Sequence, residues 1–146
     1  MKIRAFNQNV SVIALKKNDI LYGMTCAWTT QLDYDKIGCL MGEQSVTAKA
    51  LCIGDYVGVS VLSKSQLETA IALGDNHSDE INKFEGINYS QNNNAILIND
   101  SRKEMIGKVI DIVHLKGMES DYFVTIQILD FKENEKIDFL TMEDIR

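Results

Sequence analysis

The sequence predicts a mainly β protein, an antiparallel barrel or sandwich with two or three short helices. Three observations predict it. About seven short apolar or alternating runs recur along the chain of 146 residues. Turn-forming residues separate these runs. Helical spacing is confined to two brief segments and the last few positions. The strands do not alternate with long helices, which excludes a doubly wound parallel sheet. The length fits a single domain over 1–146, enough to bury roughly 70% of the unfolded surface.

Taken in order, Val10–Leu15 predicts a strand, closed by the polar turn Lys16-Lys17-Asn18-Asp19. A second run covers Ile20–Thr30, and a third covers Lys36–Met41 after the turn signal Asp33-Tyr34-Asp35. A short helix is expected from Ser45, with Val46, Ala50 and Ile53 at helical spacing. Tyr56–Leu62 is the cleanest strand: Val57, Val59 and Val61 share one face and Gly58 and Ser60 the other, the pattern of a half-buried strand. Ser65–Gly74 reads as a helix with a Ser65/Glu68 capping box, an apolar stripe of Leu67, Ala70 and Ile71, and Gly74 as its stop. The stretch from Asp75 to Asn94 is the most polar of the chain and is expected to be a mobile loop or a functional lid. Strands resume at Ala95–Ile98, Ile106–Leu115 and Tyr122–Phe131, and Thr141–Arg146 predicts one helical turn.

Composition narrows the function. With 15 basic and 21 acidic side chains the net charge is −6, and the basic residues are scattered. That balance excludes nucleic acid as the main partner, which would need a concentrated basic face. There is no proline, so polyproline linkers and cis-proline turns are excluded. Cys26, Cys39 and Cys52 form no C-x-x-C pair, and their odd number fits a reducing, cytoplasmic setting. No targeting segment or membrane span is evident. Nucleophile elbows, Walker loops and G-x-G-x-x-G are absent. His77 and His114 lie in different elements, so no metal site is expected. His114 reads as structural, and Asp79 and Glu80 as solvated charges.

The block from Tyr22 to Leu51 carries the remaining chemistry. Gly23-Met24-Thr25-Cys26-Ala27-Trp28 places small residues beside the only tryptophan, so a flat ligand can approach the backbone. Trp28 suits either a ligand-facing position or the core, and Cys26 either a weak S–H donor or apolar filling. Farther on, Ser45 and Thr47 open a short helix whose N-terminus offers unpaired N–H groups, with Lys49 one turn in. These residues suit a phosphate; Ser45 equally suits a plain helix cap, and Lys49 a solvated surface charge.

The order of these blocks resembles the flavin reductase-like family. The resemblance rests on Gly23-Met24-Thr25-x-Ala27-Trp28, then Gln44-Ser45-x-Thr47, then Tyr56-Val57-x-Val59-x-Val61-Leu62. Gln66-Leu67 with Ala70, and Asn82-Lys83-Phe84 ahead of Gly86, extend it across most of the chain. It implies an FMN-binding split β-barrel, a homodimer with flavin near the subunit interface, and electrons taken from NADH, NADPH or a redox protein partner. By the same resemblance Met24, Thr25, Cys26, Ala27 and Trp28 would line the isoalloxazine ring. Ser45, Thr47 and Lys49 would hold the phosphate, and Lys83 and Phe84 would sit on a loop closing over the flavin. The redox chemistry would belong to the cofactor, with no catalytic side chain required. Three stretches differ from the family pattern: Tyr22 where asparagine is common, Glu119-Ser120-Asp121-Tyr122 where Gly-Asp-His is common, and Asp35-Lys36-Ile37 where proline is usual.

Overall fold

The computed structural model describes residues 1–75 and 83–145. Nine strands form one antiparallel sheet: β1 (Ser11–Lys17), β2 (Ile20–Cys26), β3 (Thr29–Asp33), β4 (Lys36–Met41), β5 (Tyr56–Val61), β6 (Tyr89–Asn92), β7 (Ala95–Ile98), β8 (Lys103–Val113) and β9 (Tyr122–Glu133). Among the described residues three short helices accompany them, α1 (Val46–Ala50), α2 (Leu67–Asp75) and α3 (Met142–Ile145). The strand order is β3-β4-β9-β8-β5-β1-β7-β6, with β2 on the other edge of β1. The sheet stays open between β3 and β6, as a split barrel does.

Strand β1 explains the split. One edge pairs with β2 from Ser11↔Cys26 to Lys17↔Ile20. The other pairs with β5 only as far as Ala14↔Gly58, and then with β7 at Leu15↔Ala95. At this switch β7 crosses β5. A Cβ on Gly58 would lie 1.9 Å from the Ile96 carbonyl oxygen, so only glycine fits there. Two residues on, the Ser60 hydroxyl accepts the Ile98 N–H at 2.9 Å, satisfying a group that leaves the regular ladder. The Gly58/Ser60 face is therefore covered. β5 is buried on both faces along most of its length, where the alternation predicts one buried face.

Both faces of β1 are buried too, which gives two apolar clusters. Ile13 and Leu15 join Met41, Val57, Val59, Val109, Val124 and Ile126 inside the barrel. Val12 and Ala14 join Leu62, Leu73, Phe84, Ile96 and Leu140 on the outside, under α2. The chain turns tightly at Asn18-Asp19, both with positive φ (52° and 64°), and at Asn93 (φ 52°), where asparagine and aspartate tolerate the left-handed region.

Several sequence expectations are corrected. The run Ile20–Thr30 breaks at Ala27-Trp28 into β2 and β3, which belong to different parts of the sheet. The capping box forms two residues earlier than expected, between Ser63 and Gln66, on a 3-10 turn (Lys64–Gln66) that leads into α2. In α2 the buried residues are Ala70 and Leu73, while Ile71 is exposed. In α1 the buried positions are Thr47 and Ala48, and Ile53 is exposed beyond the helix end. The polar stretch after Asp75 contains strand β6, which pairs with β7. His77, Asp79, Glu80 and Asn82 lie outside the described residues.

Candidate functional site

A cleft of about 250 Å³ opens where β2, the start of α1 and the end of α2 meet. Met24, Thr25, Gly42, Gln44, Ser45, Val46, Thr47, Leu73, Gly74 and Lys83 line it. Strand β2 forms its floor. Among the strands β2 pairs with β1 alone, so its other edge has no strand partner, and Met24 and Thr25 of β2 line the cleft. The Thr25 hydroxyl donates to the Ala70 carbonyl at 2.6 Å and ties α2 against this floor.

The second wall is the entry to α1. Ser45 is the N-cap: its hydroxyl oxygen accepts the Ala48 N–H at 3.0 Å and lies 3.0 Å from the Met24 sulfur. That cap serves one of the four N–H groups that a helix start leaves without an internal acceptor, and those of Val46 and Thr47 belong to the same turn at the cleft wall. The Gly42–Gln44 approach is held from outside, because the Glu43 N–H donates to the Asp121 carboxylate at 3.1 Å. His114 Nδ1 in turn lies 2.9 Å from the Asp121 carbonyl oxygen, and its ring packs against Tyr122.

The third wall carries a charge. Lys83 is only 8% exposed, and its ammonium donates to the Leu73 carbonyl at 2.9 Å, near the C-terminal end of α2. Burial pulls its pKa below the ordinary lysine value. It is the only buried lysine among the described residues. A buried cation on a cleft wall, opposite a helix start, suits an anionic ligand group.

The structure brings five of the sequence-derived candidates to the cleft: Met24, Thr25, Ser45, Thr47 and Lys83. The rest lie elsewhere. Cys26 points into the barrel core, its thiol near the Leu40 carbonyl at 3.5 Å, and burial raises its pKa, so the S–H is kept and spent inside the protein. Ala27 sits half-buried at the break after β2. Trp28 is 65% exposed, in neither the core nor the cleft lining. Lys49 is exposed and is not among the residues that line the cleft. Phe84 is 2% exposed and lies behind the floor: a Cβ on Gly23 would come 2.4 Å from its ring, so it supports β2 from the outer cluster. The sequence reading missed Gly42, Gln44, Val46, Leu73 and Gly74 as lining residues. Of these, Gln44 carried a signal as part of the Gln44-Ser45-x-Thr47 motif, and Gly74 one for helix termination.

The same residues can be set against an FMN-sized ligand. The donors suit its phosphate, and the β2 edge suits a planar heterocycle. The volume of the cleft lies just below the roughly 300–1,000 Å³ usual for such sites. Among the described residues no cluster of histidine, cysteine or carboxylate side chains could hold a metal ion, and no helix is long and apolar enough to cross a membrane.

No curated protein sequence matches the chain. Solved structures do. The NADH:FAD oxidoreductase SgcE6 of Streptomyces globisporus superposes with a TM-score of 0.82 at 16% identity, covering 97% of this chain and 84% of that one. A putative flavin reductase of Haemophilus somnus gives a TM-score of 0.84 at 10% identity, covering 97% and 90%. The flavoredoxin of Methanosarcina acetivorans gives 0.77 at 10% identity, with the same coverage. At these identities the likeness is one of fold. The family profile described as flavin reductase like domain matches residues 3–144, nearly the whole chain, and the protein therefore belongs to the flavin reductase-like domain family.

Proposed function

We propose that the protein is an FMN-binding oxidoreductase of the flavin reductase type, passing electrons from NADH, NADPH or a protein donor through FMN. The observation that carries this reading is the cleft itself: a family member places residues of the β2 edge, a capped helix start and a buried lysine around a single cavity.

Each residue has a distinct task in it. The β2 edge at Met24 and Thr25 receives the ring through backbone groups, and Phe84 behind Gly23 keeps that edge rigid. Val46 and Thr47 offer N–H groups to the phosphate, while Ser45 holds the turn in shape. Lys83 supplies the full positive charge, which burial shields from water and strengthens. The redox chemistry is supplied by the flavin ring. The protein's share is to bind, orient and exclude water, which agrees with the lack of a nucleophile elbow or similar catalytic motif in the sequence.

The reading extends to a cytoplasmic homodimer. If the donor is a protein, the net charge of −6 favours a partner with a positive patch. Anaerobic mixing of the FMN-loaded protein with NADH or NADPH is the test. Prompt bleaching of the flavin absorbance is expected. Reduction by dithionite or a protein donor alone would assign a carrier role, and failure to load FMN would overturn the reading.

A further inference from the structure

The ladder between β4 and β9 runs to Met41↔Tyr122 and stops there. Just beyond it, a side chain takes over from the backbone. The Glu43 N–H donates to the Asp121 carboxylate at 3.1 Å, across 78 positions of sequence. Among the described residues Asp121 makes no ion pair, so no salt bridge draws its carboxylate away from this N–H. The backbone of Asp121 is itself held on both sides. Its N–H donates to the Met118 carbonyl at 3.1 Å, and its carbonyl oxygen lies 2.9 Å from His114 Nδ1. Tyr122, the next residue, packs its ring against His114 with centroids 5.2 Å apart. The carboxylate therefore projects from a well-tied part of the β8–β9 connection.

What it ties down is a wall of the cleft. Gly42, Gln44 and Ser45 line the cavity, whereas Glu43 between them does not. The Ser45 N–H donates to the Gly42 carbonyl at 3.0 Å and closes a turn. On the cavity side this turn is tethered through the Ser45 hydroxyl, 3.0 Å from the Met24 sulfur. A thioether is a weak acceptor, so that tether is soft. Gly42 is not wedged by packing either, since an added Cβ would meet nothing within 4 Å. The helix that follows, α1, has five residues, too few to be stiff by itself. The position of the wall therefore depends on its outer tether.

We infer that Asp121 is a positioning residue of the flavin cleft: through the Glu43 N–H it sets the Gly42–Ser45 wall, so that the wall and the buried ammonium of Lys83 reach the same phosphate group. Asp121 does not line the cavity and acts only through the turn. The role needs an acceptor oxygen and not a negative charge, because a carboxylate near a phosphate seat repels the ligand. The bond is solvent-exposed, so water satisfies the Glu43 N–H when the carboxylate is removed, and the fold loses little. What is lost is the preset position of the wall, which the ligand must then fix as it binds. The inference rests on the FMN reading of the cleft and adds to it the residue that shapes one wall.

Fluorescence titration of the full chain with FMN and with riboflavin, beside urea unfolding of each variant, is the test. Asp121→Ala should weaken FMN binding about three- to tenfold, the worth of one net hydrogen bond, and riboflavin binding by less than about twofold. Its unfolding midpoint should stay near that of the wild type. Asp121→Asn keeps an acceptor oxygen without the charge and should hold FMN within about twofold of the wild type. Unchanged FMN affinity in Asp121→Ala, equal losses for FMN and riboflavin, or a loss that tracks a fall in the unfolding midpoint overturns the inference. So does an Asp121→Asn variant as weak as Asp121→Ala. A wild-type chain that fails to bind FMN overturns the proposed function itself. A wild type that binds FMN, with Asp121→Ala binding it equally well, overturns only the role of Asp121.

Discussion

Replacing Lys83 with methionine keeps the length and packing of the side chain and removes one buried charge from the cleft wall. Lys83 is 8% exposed and its ammonium lies 2.9 Å from the Leu73 carbonyl, so it is held in place before any ligand arrives. A preformed charge-assisted hydrogen bond is worth about 1.5–3 kcal/mol. At about 1.4 kcal/mol per decade, Lys83→Met should weaken FMN binding by roughly 10- to 150-fold. Riboflavin, which lacks the phosphate, should lose less than about threefold. Folding should not suffer, because the variant removes a desolvated charge and cleft water can take its place at Leu73. The pH dependence has a defined sign. Burial lowers the Lys83 pKa, so between that value and the unfolded one the unfolded chain binds more protons and stability rises with pH. FMN affinity runs the other way, falling as pH rises through the lowered pKa, and Lys83→Arg should keep it across that range. Fluorescence titrations with both ligands over neutral to alkaline pH provide the assay. Equal loss for FMN and riboflavin, or no loss for either, would refute the assignment of Lys83 to the phosphate.

Further expectations concern the frame around the site. Gly58→Ala should cost about 3 kcal/mol in urea unfolding, since its Cβ meets the Ile96 backbone, whereas Gly42→Ala, whose Cβ meets nothing, should stay within about 0.5 kcal/mol. Ser45→Ala should cost about 1 kcal/mol through loss of the cap on Ala48. Glu104 is buried on β8, and burial, followed in size by an opposing effect of Lys132 and a reinforcing one of Asp100, raises its pKa. The folded chain therefore binds this proton more readily, and the residue's contribution weakens as pH rises from the unfolded value through the raised one. Thermal unfolding should show Glu104→Gln gaining on the wild type over that interval, and a constant difference would contradict it.

The strand content was legible because most strands carry period-2 or continuous apolar runs between turn residues. β4 has the expected bounds, Lys36–Met41, because Tyr34-Asp35 and Gly42 punctuate it on both sides. What escaped has physical causes. The break at Ala27-Trp28 has no proline, and its residues are as strand-like as their neighbours. β6, Tyr-Ser-Gln-Asn, is exposed along its whole length, so no apolar period marks it. The buried Gly58/Ser60 face reads as solvent-facing because the crossing β7 demands small residues there, and small residues resemble polar ones in pattern. In the site, the β2 edge and the Ser45 cap were legible from residue type and order. Lys49 and Lys83 could not be ranked, because charge is visible in a sequence and burial is not. The structure leaves the first exposed and buries the second.

FMN titration followed by protein-bound fluorescence tests the central claim most directly. Saturable quenching with about one FMN per chain, and weaker binding of riboflavin, is the expected result. A protein that leaves FMN fluorescence unchanged, and shows no flavin absorbance when freshly purified, would contradict it.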